Sequence, residues 1–377
     1  MFSARDAAAA LYIAPLVELA ARDPRYSIVV MAQEPAFNML HRRGINAICV
    51  DAPIANTQSG REAETLLAEA ETYISREQPD AIVVGLSSPG QGGIDEAFLK
   101  MANCPTFLLQ DFWGESNPFF NAYPDVFLVL DSAAAELTQQ KYAAECVIIG
   151  SSRHADYRTM EINAIRNRAR AKLCIDAGPV IGWFGQSLHH LSGYEEVIEN
   201  WVETVETLNA KPTVLYKPHP RENNLQRKRT IEVMSRVSDN VRFLEGWPVE
   251  DSLLACDCVC SIMSNCLYDG AYLNFYSETP LLSPVSVLTS ESLMSNLNSK
   301  IAFDALPYTR LGLATTVLSK ETLADNLEFA LSNEGIERAW FSAKRNLVPP
   351  DTAATDALAF IREFVARKSN VIHPIFI

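Results

Sequence analysis

The strongest constraint on the fold is an alternation that runs twice through the chain. Short, almost wholly apolar runs are separated by longer segments with apolar residues at helical spacing. In the first half the runs are SIVVMA, AICV, AIVVG, TFLLQ, VFLVL and CVIIG, after a short candidate at Met1 to Ala4. Between them lie ALYIAPLVELAAR, AFNMLHRRG, ETLLAEAETYISRE, IDEAFLKMA and AAAELTQQKYAA, each with helical periodicity. Strand, helix, strand in repetition predicts a parallel sheet with helices on both faces. The near-continuous apolar character of the runs fits strands covered on both sides.

The pattern restarts with VIGWFG, TVLYKPHP, VRFLEG, CDCVCSIM and PLLS, interleaved with further helical segments and closed by ETLADNLEFALSN, IERAWFSAKRNL and TAATDALAFIREFVARK. A chain of 377 residues with 48% hydrophobic residues can bury two cores. The expected fold class is α/β, two Rossmann-like domains facing across a cleft. The expected bounds are 1–152 for an acceptor-side domain, 153–177 for a connecting helix, 178–350 for a nucleotide-donor domain and 351–377 for a C-terminal helix and tail. An arginine-rich stretch, roughly Ala155 to Asp176, reads as a solvated connecting helix.

Charge and cysteine usage narrow the function. A net charge of −14 argues against nucleic acid as a partner, because phosphate backbones select basic surfaces. A small phosphorylated ligand needs only local donors and stays open. Cys256, Cys258 and Cys260 alternate as residues on one face of a strand do, unlike the CxxC pairs of a zinc site, so no metal is expected. Reduced thiols fit a cytoplasmic protein. No leader is visible, and no apolar run approaches the ~18 residues that span a bilayer. The terminal IHPIFI is expected to pack on a domain. Oligomeric state, a homo-oligomer included, is left open.

In such folds ligands gather at the carboxyl ends of strands. The clearest motif there is YKPHPRE, Tyr216 to Glu222, following the run TVLY. Its two prolines stiffen the turn, which presents Lys217 and Arg221 to an anion, and His219, a catalytic candidate, either to donate to a phosphate or to shuttle a proton. A second loop, Gly185, Gln186 and Ser187, follows VIGWF. Glycine there allows close backbone approach, and His189 and His190 follow. Ser192 and Glu195 have capping-box spacing and read as structural. A third, Ser261, Ser264 and Asn265, opens a helix where small polar residues suit an anion cradle, with Asp269 a turn further on. A plain helix cap at Ser264 is compatible with that role.

The first half offers acceptor-side candidates. Arg5 and Asp6 sit at the first strand-to-helix turn. Ser88 and Gly90 lie in the glycine-rich GLSSPGQGGIDEAF, which lacks the lysine of a P-loop. Asp111, Trp113 and Glu115 follow TFLLQ. An acid beside aromatics suits a general base with a raised pKa, and an aromatic plug under the loop explains the same residues equally well. No GxSxG, early GxGxxG or HExxH is present.

Tandem α/β domains, KPHP after a strand of the second half, and the D-x-x-x-S-x-x-S segment Asp257, Ser261, Ser264 resemble glycosyltransferases of the GT-B fold. The likeness is to capsule- and teichoic-acid-type transferases, CDP-glycerol glycerophosphotransferases among them, and more distantly to UDP-N-acetylglucosamine 2-epimerases. The resemblance implies that Lys217 and His219 contact a donor diphosphate and that Ser261, Ser264 and Asn265 cradle it. The glycerophosphotransferases' acidic and double-serine run reads SIMSN here, and the epimerases' clustered basic amino-terminal loop is reduced to Arg5. The expected activity is metal-independent transfer of a sugar from a UDP- or CDP-linked donor, with no cofactor, to an unknown acceptor deprotonated by Asp111. Epimerisation or hydrolysis of a nucleotide sugar, phospho-alcohol transfer from a CDP donor, and a non-catalytic binding subunit are the alternatives.

Overall fold

The computed structural model describes residues 1–175, 178–237, 241–298 and 306–372. Contacts divide the chain into two compact units, Met1–Asp156 with Val348–Ile377, and Tyr157–Leu347.

The first unit holds a parallel sheet of β1 (Phe2–Ala4), β2 (Val30–Ala32), β3 (Ile48–Cys49), β4 (Ile82–Gly85), β5 (Thr106–Leu109), β6 (Val126–Val129) and β7 (Glu145–Ile148). Their order is β3-β2-β1-β4-β5-β6-β7. The run SIVVMA is strand only over its last three residues, and AICV only at Ile48 and Cys49. Both residues of β3 are exposed at the sheet edge, where burial no longer rewards a long apolar strand. The helix Ala353–Ile372 packs on this unit: the Phe364 ring lies 5.4 Å from that of Phe107 in β5, and the Tyr26 hydroxyl donates to the Leu358 carbonyl at 3.2 Å. Apart from Ile372, the run IHPIFI lies outside the described residues.

The second unit holds β8 (Val180–Phe184), β9 (Thr213–Lys217), β10 (Val241–Phe243), β11 (Cys258–Ser261), β12 (Ser283–Val287) and β13 (Thr315–Val317), in the order β10-β9-β8-β11-β12-β13. All pairings are parallel. Fully buried Trp183 of β8 and Trp201 of the helix Tyr194–Thr207 anchor its core, their ring centroids 5.1 Å apart. The Cys258 and Cys260 thiols are 3.6 Å apart on one buried face, as the period-two spacing requires. In each sheet the order reverses once, between β1 and β4 and between β8 and β11. At such a reversal the crossovers leave in opposite directions and open a crevice at the carboxyl edge.

The arginine-rich stretch differs from its expectation. It forms a 3-10 segment, Ser152–Thr159, and then a helix, Ile162–Lys172; the expected end at Asp176 lies outside the described residues. Arg166 and Arg170 are not solvated. Both pair with the Asp257 carboxylate, Arg170 at 2.6 Å, and Arg166 also donates to the Leu254 and Cys256 carbonyls at 2.8 Å. Asp257 accepts the Val180 N–H as well, at 2.8 Å. It thus sits at the amino end of β11, the edge opposite Ser261, and serves as the buttress between helix and sheet. Its place in the D-x-x-x-S-x-x-S spacing spans the strand rather than one site. Replacing Asp257 by alanine strands two partly buried guanidinium groups and one backbone donor. It should cost about 3 kcal/mol in urea unfolding, whereas a loss below about 1 kcal/mol would show the pairs to be solvated ornaments.

Candidate functional site

The switch point of the second sheet gathers loops from three adjacent strands, β9, β8 and β11. The Ser261 hydroxyl donates to the Phe184 carbonyl at 2.7 Å, fixing the ends of β8 and β11 together. Gln186 continues the tie: its Oε1 accepts the Met263 N–H at 2.9 Å, while its own N–H donates to the Tyr194 hydroxyl at 2.9 Å. Gly185 donates its N–H to the Lys217 carbonyl at 2.9 Å, joining the loop after β8 to the turn after β9. Ser187 follows, half-buried. Ser264 is the N-cap of the helix Asn265–Tyr276, its hydroxyl accepting the Cys266 N–H at 3.2 Å. Asp269 is buried on that helix, so it does not offer its carboxylate at the surface of the site. The capping box at Ser192 and Glu195 is not formed: the N-cap is Gly193, with φ +87°, against which Ser290 and Ser292 pack so tightly that a Cβ would lie 2.3 Å from the Ser290 hydroxyl. A left-handed residue at the cap displaces the serine from it.

The histidine-proline turn is chemically specific. The His219 Nδ1 accepts the Arg221 backbone N–H at 3.1 Å, which leaves the ring proton on Nε2. Burial, and then the neighbouring Arg221 guanidinium, push the His219 pKa down to about 4. The ring is therefore a neutral hydrogen-bond donor at neutral pH rather than a proton shuttle. Arg221 is exposed. Lys217 is largely occupied, because its Nζ donates to the Leu244 carbonyl at 3.2 Å and the Trp247 carbonyl at 2.7 Å. Two of its three donors thus fasten the loop after β10, and the third has no partner among the described residues. His189 turns to the Thr230 hydroxyl, 3.0 Å from its Nε2.

At the switch point of the first sheet the sequence candidates meet a wider network than the sequence revealed. Arg5, 4% exposed, donates to the Ser88 carbonyl at 2.9 Å and the Gln91 carbonyl at 3.3 Å. Asp6 accepts the Ser88 N–H at 2.8 Å and its hydroxyl at 2.6 Å. Asn117 donates to the Gln91 carbonyl at 2.8 Å. Gly90 is exposed at the tip of this loop with φ +88°. The helix Ile94–Met101 that follows is not an open anion cradle: Glu96 accepts the Gly93 N–H and Gln33 the Ile94 N–H, each at 2.7 Å. Ser3 donates to buried Asp95, whose pKa is raised by burial and by adjacent Glu96. Gln33, Asp95, Glu96 and Asn117 escaped sequence reading. Only Glu96 carried a signal, three residues past the cap at Gly93.

Beyond β5, Asp111 is 6% exposed, and burial first, then the Asp6 charge, lift its pKa to about 7 against the opposing pull of Arg153. Trp113 is fully buried and its indole N–H donates to Asp131 at 2.8 Å, so it is a plug beneath the loop and presents no surface to an acceptor. Glu115 pairs with Lys141 at 3.3 Å. Among the described residues no three His, Cys, Asp or Glu are grouped to hold a metal, and no helix is long and apolar enough to cross a membrane.

No protein-family model and no curated protein matches the sequence. Solved structures do match, over nearly the whole chain. The UDP-GlcNAc 2-epimerase of Neisseria meningitidis bound to UDP-GlcNAc superposes with a TM-score of 0.68 at 11% identity, covering 96% of this chain and 99% of that one. The Staphylococcus aureus MnaA–UDP structure gives 0.65 at 13% identity, covering 97% and 96%. MurG of Acinetobacter baumannii gives 0.59 at 12% identity, covering 96% and 99%. The fold is that of the GT-B enzymes. At these identities the likeness extends to the fold alone.

The raised pKa of Asp111 has a sign that can be tested. A carboxyl whose folded pKa is lifted from 3.8 to about 7 favours the folded state below pH ~4, and that contribution fades as pH rises through about 7. Asp111→Asn, which cannot ionise, should therefore gain stability relative to wild type between pH 4.5 and pH 8, by on the order of 2–4 kcal/mol. Urea unfolding of both proteins at the two pH values decides it; parallel behaviour would place Asp111 at an ordinary pKa.

Proposed function

We propose that the chain is a nucleotide-sugar enzyme, and that it moves a sugar from a UDP- or CDP-linked donor to an acceptor hydroxyl. The observation that carries the donor half is the convergence of loops from β9, β8 and β11 on one edge of the second sheet. They bring a neutral imidazole with its proton on Nε2, the cation Arg221 and the helix N-terminus at Ser264 and Asn265 to adjacent strands. Such donors suit the charge that develops on a departing diphosphate without a resident metal. Gly185, Gln186 and Ser261 hold the loops in register, and Lys217 offers its remaining donor.

Asp111 supports the acceptor half. Its burial beyond the carboxyl end of β5 sets a pKa of about 7, where a base is half ionised at physiological pH and can take a hydroxyl proton as the sugar is transferred. Arg5, Asp6 and Ser88 hold the adjoining loop in place.

A second reading is 2-epimerisation of a UDP-sugar. Its support is that several solved structures of similar fold are UDP-GlcNAc 2-epimerases, two of them bound to UDP-GlcNAc. Product analysis separates the two readings. Transfer consumes acceptor and yields free nucleoside diphosphate, whereas epimerisation inverts the sugar and releases none.

Calorimetry with UDP, CDP and their sugar conjugates should show binding of one base type, weakened roughly tenfold or more in His219→Ala. A folded protein that binds none of them overturns the donor site. Once an acceptor is identified, the transfer rate should climb with pH through about 7 and level above it. Asp111→Asn should abolish that climb together with turnover, and a flat pH profile with an active Asp111→Asn would remove Asp111 from the reaction.

A further inference from the structure

Beneath the histidine-proline turn lies a carboxyl group that neither the sequence motif nor the proposed chemistry uses. Glu222 is 3% exposed. One oxygen, Oε2, accepts the Tyr216 hydroxyl at 2.6 Å; the other, Oε1, is buried with no hydrogen-bond partner among the described residues. That second oxygen rests against Gly185, where a Cβ would stand 2.4 Å from it. The glycine of the loop after β8 is therefore required by the glutamate of the turn after β9, and not only by an approaching ligand. The backbone of Glu222 closes the turn by donating its N–H to the His219 carbonyl at 3.0 Å.

The contact has a support chain behind it. The Tyr216 hydroxyl is committed to Glu222, and on the helix that follows the turn the buried Thr230 hydroxyl is 3.0 Å from the His189 Nε2. Buried Tyr216, at the end of β9, thus ties buried Glu222 back to the sheet. A buried carboxyl oxygen without a donor is costly, on the order of 1–3 kcal/mol. A stability argument alone would place an apolar residue there, as it would for any half-satisfied buried polar group.

We propose that Glu222 is a positioning residue for His219. Its carboxyl, seated on the bare Cα of Gly185 and held by Tyr216, fixes the turn in the conformation in which the Arg221 N–H occupies Nδ1 and Nε2–H is left as the ring's donor. The nucleotide consequence rests on the diphosphate reading above, but the positioning itself is measurable without any nucleotide.

The test is nitrogen NMR of the imidazoles in the full-length protein, with the His219 signals assigned by their loss in His219→Ala. In wild type the ring should stay in the neutral form protonated at Nε2 between about pH 8 and pH 5.5. Glu222→Gln keeps the shape and the acceptor for Tyr216 and should leave that signature in place. Glu222→Ala should free the turn, mix the tautomers and bring the His219 titration toward the ordinary value of 6.5. Gly185→Ala should do the same through its collision with Oε1, and Gly185→Ala combined with Glu222→Ala should match Glu222→Ala rather than add to it.

In calorimetry, Glu222→Ala should weaken nucleotide binding roughly tenfold and Glu222→Gln less than about twofold. A folded Glu222→Ala protein whose His219 tautomer and titration match wild type overturns the proposal, as does a Glu222→Gln protein that behaves like Glu222→Ala. If wild type binds no nucleotide while the imidazole changes occur as described, the positioning stands and the diphosphate reading falls.

Discussion

Everything the chain can do at its two candidate sites follows from parallel strand pairing. A parallel sheet puts all carboxyl ends on one edge, and its order must reverse somewhere if helices are to cover both faces. In the second sheet that reversal sets Phe184 beside Ser261, and one hydroxyl-to-carbonyl bond of 2.7 Å between them aligns the loops that follow. Gln186 then spans to Met263, and Gly185 spans to Lys217 on the other side. The loops are stiff because each is tied to its neighbour at the first or second residue past the strand. That stiffness holds short polar side chains in fixed positions in a chain whose net charge is −14.

Burial tunes the two halves in opposite senses by a single mechanism. Removing a group from water disfavours its charged form, so the Asp111 carboxyl rises to about 7 while the His219 imidazole falls to about 4. The carboxyl is half ionised near neutrality, and the histidine is neutral there. Reading the two residue types by their usual habits reverses the second assignment, because a solvated histidine titrates near neutrality and is taken for a proton carrier.

Fold class and the edge on which the loops lie were legible in the sequence, because hydrophobic periodicity reports which faces are covered, whereas the run PLLS stops where β12 begins at Ser283 and the three-residue edge strand β13, Thr315–Val317, is too short to show a period. Partners across the fold were not. Asp257 was grouped with Ser261 and Ser264 by spacing, yet a strand runs between them and carries the aspartate to the far edge, where Arg166 and Arg170 wait 91 and 87 residues away in sequence. Trp113 reads equally as an acceptor-side residue or as a plug under the loop, and the buried indole, its N–H on Asp131, is the plug. Lys217 looked like a phosphate contact, while most of its donors close a loop that no local pattern links to it. In each case a hydrogen bond distant in sequence decided the role.

Glu222 carries that point one step further. It lies inside the most recognisable heptapeptide of the chain, YKPHPRE, and still its role is set from outside that heptapeptide, by a glycine 37 residues upstream whose missing side chain makes room for it. The two positions constrain one another: a side chain at 185 is excluded while Glu222 is present, and Glu222 has its seat only while 185 is bare. A turn that presents an imidazole in one tautomer must resist rotation. Prolines limit φ on either side of His219, but they supply no restoring contact to the ring itself. That contact comes through the Arg221 N–H, which in turn depends on where Glu222 pins the end of the turn.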